Sequence, residues 1–416
     1  MSKFIIDYLN DKKQKQTLIL LITSILVMIL VLGINYFITR ILEKNSFGNY
    51  SLVLNIFNFS QIVFNFGLFY SISRGIAIVD DNSRHRELYG AGLIISFCLF
   101  IIMILCLIVF FLIFDKSTTQ EVINSLLFCI PFSWIFLLNN FNELLLQGGN
   151  RILLLSFSRF MPKFFFLILL IVIYSFTSHK ISTNTILCCF IVSSIIPYFI
   201  IIHKLKPKLT NFKKRIQEIK VANNKFGFNV YVGSLFAVGS SSLSGVLIGY
   251  FGINNIEVGY YAIALQLSAP LSLIPNVIAT TSFKKFANSQ KIDKTTLTRM
   301  YVISFTLVIL IFIIAKPIIL MIYGDEYIEC VYLLYYLSIG SLLYGIADFF
   351  NRFLLAKGKG KELRNSSFIV GGVLIISNFI LINISGAKGA ALATIISGLT
   401  YFFIIVFYYK KVSNFD

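Results

Sequence analysis

The residues best placed to act on a ligand are charges and amides set inside otherwise apolar sequence. Arg159 and Lys163, in SFSRFMPKFFF, are four apart, about one helical turn. Asn139, Glu143 and Gln147 recur at i, i+4 and i+8. Ser338, Ser341, Tyr344, Asp348 and Arg352 share one helical face, and Asp348 and Arg352 have the spacing to pair along it. Ser51, Asn55, Asn58, Gln61 and Asn65 fall within about 120° of one another on a helix. Arg74 closes the same segment. A polar group in hydrocarbon is costly. Such stripes therefore either hydrogen-bond between helices or line a pathway. Cations there can hold an anion, and amides can hydrogen-bond a polar ligand. A buried carboxylate such as Glu143 or Asp348 can load and release a proton.

These residues need membrane-spanning helices to carry them. Twelve apolar stretches are each long enough to cross a bilayer, which takes roughly 20 residues of helix. Their approximate limits are 17–39, 48–71, 89–114, 121–146, 155–177, 181–203, 226–251, 258–282, 300–322, 328–355, 366–384 and 387–409. The cationic residues follow the same alternation. Of 36 Lys and Arg, 27 lie in the N-terminus, the even-numbered loops and the C-terminus, and 5 on the opposite side, in the odd-numbered loops or, for Lys388, at the outer end of span twelve. That bias predicts cytoplasmic termini in a multi-pass protein. Arg159, Lys163, Lys316 and Arg352 lie within spans. Lys316, before Pro317 near an outer end, reads as an interfacial anchor.

Composition excludes other classes. Only 13% of residues are charged and 57% are hydrophobic, against about a quarter charged in soluble domains. The net charge of +18 does not imply nucleic acid, because the basic residues sit in loops that meet anionic lipid. His85, His179 and His203 are isolated, and KGKGK at 357–361 lacks the spacing of a phosphate-cradling loop. Five of the six Cys lie in spans without metal spacing. No enzyme, metal or cofactor is expected, beyond a candidate H+ or Na+ gradient. An outer acidic cluster (Asp325, Glu326, Glu329) sits on a short loop, too small for a polymerase or glycosyltransferase domain.

The chain divides near its middle. The longest connection, 204–225, reads KLKPKLTNFKKRIQEIKVANNK and could hold an interfacial helix at 211–222. It separates an N-terminal bundle (1–208) from a C-terminal one (226–416), with 209–225 as a cytoplasmic linker. GNYSLVL at 48–54 and GYYAIAL at 259–265 match at an offset of 211. LLQGG at 145–149 and LLAKG at 354–358 match at 209. Two six-span halves in the same orientation follow, the parallel-repeat plan of many transporters. Pro270 and Pro275 should bend or break span eight, and the small residues of GSSSLSG at 239–245 suit close helix packing.

The ordered set resembles the polysaccharide flippases, the Wzx-like O-antigen and teichoic-acid exporters of the multidrug/oligosaccharidyl-lipid/polysaccharide superfamily. The match runs through G-x-Y-[SA]-[LI]-x-L at span two and FNFGLFYSISR at 64–74, with Gly67 and Arg74. It ends in SNFILINISGAKGAALATIISGLTYFFII at 377–405, where Asn378, Leu381, Gly386, Gly389, Ala390, Ala391, Ala393 and Thr394 carry it. The resemblance implies an all-α membrane protein, 12 transmembrane helices in two pseudo-symmetric six-helix bundles forming a V-shaped alternating-access transporter. It implies a bacterial inner membrane, undecaprenyl-diphosphate-linked oligosaccharide as substrate, and other polysaccharide-assembly proteins as partners. Arg159, Lys163, Arg352 and Arg74 would then meet the diphosphate. Asn55, Asn58, Gln61, Asn65, Asn139 and Tyr344 would meet the sugars. A cation-coupled drug or metabolite antiporter of the same superfamily is the alternative, and a polytopic polymerase a weaker one.

The charge pattern is directly testable. Single reporter cysteines replacing Lys213 and Asn254 should label from opposite sides of the membrane. Labelling of both from outside overturns the twelve-span map.

Overall fold

The computed structural model describes residues 12–78, 81–113, 120–176, 181–235, 240–252 and 254–414. The expected outer loop at 115–120, apart from Gln120, the one at 178–180, and Gly239 of GSSSLSG lie outside them. Regular structure among the described residues is helical. Eight of these helices are long and apolar enough to cross a bilayer alone, and two bent pairs qualify jointly. In lipid the backbone must satisfy its own hydrogen bonds, which long Leu-, Ile- and Phe-rich helices do. Ile29, Phe176, Ile313, Met321 and Phe403 stand exposed on the helix surfaces, as side chains bathed in hydrocarbon do.

The chain forms two units, Met1–Ser46 with Phe57–Val232, and Phe47–Ile56 with Gly233–Asp416. The first holds α1 (Lys12–Ile41), both ends of α2 (Lys44–Val63), α3 (Leu68–Ile78), α4 (Asn82–Ile113), α5 (Gln120–Cys129), α6 (Trp134–Gly148), α7 (Ile152–Phe176), α8 (Thr183–Leu205), α9 (Phe212–Ala222) and most of α10 (Phe228–Ser234). Two expected single spans are broken here. Span two bends by 59° between α2 and α3, and span four by 54° between α5 and α6. In span four the cause is Pro131, in a 3-10 turn at Ile130–Phe132. In span two, Phe66 and Gly67 take φ of 47° and 81°. The Asn65 carboxamide restarts the helix by accepting from the Phe69 N–H at 3.2 Å.

The break docks onto the five-residue π-turn Asn223–Gly227. Ser71 donates to Asn223 Oδ1 and Asn223 Nδ2 donates to the Phe66 carbonyl, both at 3.1 Å. Tyr231 donates to the Val63 carbonyl at 2.7 Å. A Cβ on Gly227 would fall 1.9 Å from Ser71 Oγ and 2.4 Å from the Gly67 carbonyl oxygen, so the backbones touch only because both residues are glycine.

The linker is a fixed part of this unit. The helix expected at 211–222 is α9, and ion pairs clamp it to α4. Arg215 Nε meets Glu87 at 2.9 Å with both side chains nearly buried. Glu218 bridges Arg84 and Arg215. Burial alone would raise the Glu218 carboxyl, but hydrogen bonds from both guanidiniums hold it below its ordinary range.

The second unit contains α11 (Ser240–Phe251), α12 (Ile256–Asn288), α13 (Lys294–Tyr323), α14 (Cys330–Ala356) and α15 (Gly360–Asn414). Pro270 and Pro275 do not break α12, which continues as one helix through both. The residues of the C-terminal motif are packing residues. Ser385 and Gly386 kink α15, and Glu257 accepts from the Ala387 N–H at 2.7 Å where the helix resumes. A Cβ on Gly389 would fall 2.0 Å from the Leu381 carbonyl oxygen. Asn378 is buried and donates to Ser244 at 2.8 Å. The two repeat glycines also meet in this unit: a Cβ on Gly48 would strike the Asn255 carbonyl, and one on Gly259 would strike Phe47. Gly245 and Gly249 pack as closely on Asn55 and Leu52, as the small-residue reading of that segment expects.

A pair of substitutions separates tight glycines from free ones. Gly389→Ala should destabilise the detergent-solubilised protein by about 1–3 kcal/mol, the usual cost of overpacking. At Gly372 an added methyl group would meet nothing within 4 Å, so Ala there should leave Tm unchanged or slightly raised. Equal Tm values for the two variants would contradict this packing.

Candidate functional site

Each unit carries its own intramembrane polar cluster. In the first, α6 and α7 bring their stripes together. Arg159 forms an ion pair with Glu143, and Gln147 approaches the same carboxylate at 3.5 Å. Lys163, one turn further along α7, reaches only the Arg159 carbonyl at 3.3 Å. It forms no ion pair among the described residues. The helix starts at Ile152, well before Lys163, so the ammonium is held away from the helix end. Pro162 is accommodated inside α7.

The amides gather around this cluster in part. Asn139 accepts from the Tyr198 hydroxyl at 2.8 Å. Gln61 donates to Asn58 at 3.0 Å, and Asn140 donates to the Gln61 carbonyl at 3.3 Å. The rest of the α2 stripe is dispersed. Asn65 is buried as the cap of α3. Ser51 and Asn55 belong to the second unit, where Asn55 packs on Gly245. Arg74 is exposed, with its guanidinium 4.2 Å from the Phe226 ring centroid, a cation–π contact. That contact sets it apart from the Arg159–Glu143 pair on α7 and α6.

In the second unit the expected Asp348–Arg352 pair is replaced by two separate contacts. Asp348 accepts from the Tyr401 hydroxyl at 2.9 Å, and that hydroxyl accepts from Asn351 at 2.7 Å. Arg352 donates through Nε to Asn276 of α12 at 3.2 Å, which leaves the outer nitrogens of the guanidinium for other acceptors. The i, i+4 spacing permits a pair, but cross-helix partners on α15 and α12 take the groups instead. Further along, Tyr344 donates to Ser397 at 2.9 Å and Ser341 to Ser268 at 3.0 Å. Ser338 is fully buried.

Sequence reasoning missed Tyr198, Asn276, Asn351 and Tyr401. The two tyrosines are hidden among 21 in a chain that is 16% aromatic. The offset of 209 held a signal for Asn351: FNELLL at 141–146 aligns with FNRFLL at 350–355. It places Asn142 with Asn351, Asn139 with Asp348, and Glu143 with Arg352. The aligned partners agree, since Tyr198 of span six holds Asn139 and Tyr401 of span twelve holds Asp348.

A family profile described as polysaccharide biosynthesis protein matches residues 14–290, well over half of the sequence. The chain belongs to that family. Its fold is that of known transporters. It is similar to a lipid II flippase, MurJ, in an inward closed conformation, with 16% identity, TM-score 0.72, and coverage of 94% of this chain and 89% of that one. It is also similar to a multidrug resistance MATE family transporter of the MOP superfamily. The inward-facing form matches at 12% identity and TM-score 0.67, over 93% of this chain and 96% of that one. The outward-facing form matches at 13% identity and TM-score 0.61, over 98% of each. None of the curated proteins matches the sequence. The family places this protein in polysaccharide biosynthesis, and its fold is one that these transporters share. At these identities the solved structures establish the MATE-like all-α fold alone.

The Glu143–Arg159 pair can be tested by a double-mutant cycle. Removing one partner of a fully buried pair costs about 3–5 kcal/mol. Here the Arg159 and Glu143 side chains are 30% and 37% exposed, so about 1–2 kcal/mol is expected for Glu143→Gln or Arg159→Gln after screening. The double variant should recover most of the lost Tm. Additive losses would show that the two side chains act independently.

Proposed function

We propose that this protein is a flippase for a lipid-linked oligosaccharide, moving an undecaprenyl-diphosphate-linked repeat unit of an O-antigen-like polysaccharide. Transfer would run from the cytoplasmic to the outer leaflet of the bacterial inner membrane by alternating access. The observation that carries this reading is the state of Lys163. It is a cationic side chain within a membrane-spanning helix that forms no ion pair of its own among the described residues and donates to the Arg159 carbonyl. Such a charge is expensive and is relieved by an anionic ligand. A diphosphate supplies the anion, with hydrogen-bond acceptors that suit Lys and Arg donors. The neighbouring Arg159, neutralised by Glu143, could exchange that partner for phosphate. Asn58, Gln61, Asn139 and Tyr198 offer amide and hydroxyl groups at the same unit's polar cluster, the chemistry that sugars require.

In the second unit, Arg352 keeps donor capacity beyond Asn276 and would serve the anion as well. Asp348, held by Tyr401 and linked through it to Asn351, is the stronger candidate for a coupling proton, because Glu143 already has a cationic partner. The antiporter reading for cationic drugs fits less well. It calls for a carboxylate free to meet a cation, whereas Glu143 is paired and Asp348 is hydrogen-bonded.

The test compares two lysines that both lie in spans. Lys163→Ala should abolish or strongly reduce transfer of a defined lipid-linked oligosaccharide in proteoliposomes, with insertion and abundance normal. Lys316, exposed on α13, should be replaceable by Ala with transport nearly unchanged. An essential Lys316 with a dispensable Lys163 would refute the proposal.

A further inference from the structure

One recess in the first unit lies apart from the polar cluster. Its walls come from helix ends: Ile76 in the last turn of α3, His85 and Arg86 in the first turns of α4, Leu145 near the end of α6, Arg151 before α7, and Leu205 closing α8. Helix ends mark the depth at which spans leave hydrocarbon. The floor is apolar, since Ile76, Leu145 and Leu205 are buried. Every charged or titratable side chain at the wall is basic except the buried Tyr89 phenol.

The charges around this recess are treated differently from those nearby. Arg84 is paired with Glu218, and Arg215 with Glu87 and Glu218. Arg86 and Arg151 form no ion pair among the described residues. Arg86 is aimed by its Nε, which donates to the Lys206 carbonyl at 2.7 Å, and the Lys208 N–H returns a bond to the Arg86 carbonyl at 2.9 Å. Arg151 is fixed by its backbone. Its N–H bonds the Leu146 carbonyl at 2.9 Å, closing α6 with Asn150 at φ 49°. Two guanidiniums are thus held at the rim of an apolar pocket, with no carboxylate meeting them among the described residues.

We propose that this recess binds the phosphate headgroup of an anionic membrane lipid, with Arg86 and Arg151 on the phosphate and the lipid's apolar part on Ile76, Leu145 and Leu205. A basic pocket between helix ends at a membrane surface suits such a headgroup, and guanidinium matches phosphate geometry. A soluble phosphate would gain nothing from the apolar floor. The site is separate from the Arg159–Lys163 cluster and does not depend on the transported substrate.

The experiment is lipid retention by the full-length protein, purified in mild detergent and read by native mass spectrometry. The probes are phosphatidylglycerol, phosphatidylcholine and inorganic phosphate. Wild type should retain phosphatidylglycerol in preference to phosphatidylcholine by about tenfold, the scale of one charge-assisted hydrogen bond. Arg151→Gln should remove that preference, and Arg86→Gln should weaken it. Gly149 lines the recess and has φ −82°, so Gly149→Leu fills the space without backbone strain and should also lower retention with every charge intact. Lys213→Gln with Lys214→Gln, on the exposed face of α9, should leave the preference unchanged. Wild-type preference in Arg151→Gln and Gly149→Leu would overturn the proposal. So would equal loss in the Lys213/Lys214 variant, or displacement of the lipid by inorganic phosphate alone.

Discussion

Hydrocarbon does not solvate charge, and this single constraint organises the protein. Every intramembrane polar group must find a partner, face water or await a ligand. Most find partners on another helix: Glu143 with Arg159, Asn139 with Tyr198, Asp348 with Tyr401, Arg352 with Asn276. These contacts stitch helices that the hydrophobic effect alone cannot hold together, because lipid tails are as apolar as the helix surfaces. Lys163 departs from the pattern, with only a bond to the Arg159 carbonyl among the described residues.

The same constraint governs the backbone. A broken span frees N–H and C=O groups at a depth where water is scarce, so each break needs an internal substitute. At the span-two break the substitutes are side chains: Asn65 caps α3, Asn223 and Tyr231 satisfy the Phe66 and Val63 carbonyls. Gly67 and Gly227 allow the two irregular segments to touch. The start of span seven is therefore tied to the middle of span two within one unit. The clamped linker helix α9 belongs to the same assembly through Glu87 and Glu218. A basic run that resembles a loose tether in sequence is instead held by acids on α4 and on itself.

Much of this was legible from sequence. The all-helical membrane architecture follows from hydropathy, which depends on composition over many residues. The Arg159–Lys163 spacing on α7 was legible because a helix fixes which residues share a face. What sequence could not supply was the choice of partner. Asp348 and Arg352 are four apart, yet Tyr401 and Asn276 lie closer in space and take the bonds. The amide stripe of α2 reads as one surface, but a break after Val63 turns Asn65 into a cap. Pro131 sits at a break whereas Pro270 and Pro275 do not. Local rules rank these outcomes equally, and packing on neighbouring helices separates them.

The two halves share a frame of hydrogen bonds at aligned positions but differ in the charges it carries. Asn139 and Asp348 occupy aligned positions, and each accepts a tyrosine hydroxyl from the last span of its own half. That contact joins span four to six and span ten to twelve in the same way. The next position on the same face differs in sign, Glu143 in one half and Arg352 in the other. Each sign then dictates its neighbour: Glu143 draws Arg159 from α7, and Arg352 draws the neutral Asn276 from α12. Arg159 pairs with Glu143, and Lys163 forms no ion pair among the described residues. Arg352 keeps its positive charge beside a neutral amide. Each half thus sets a different charge on a like hydrogen-bonded frame, with Glu143 paired to Arg159 in one and Arg352 bonded to Asn276 in the other.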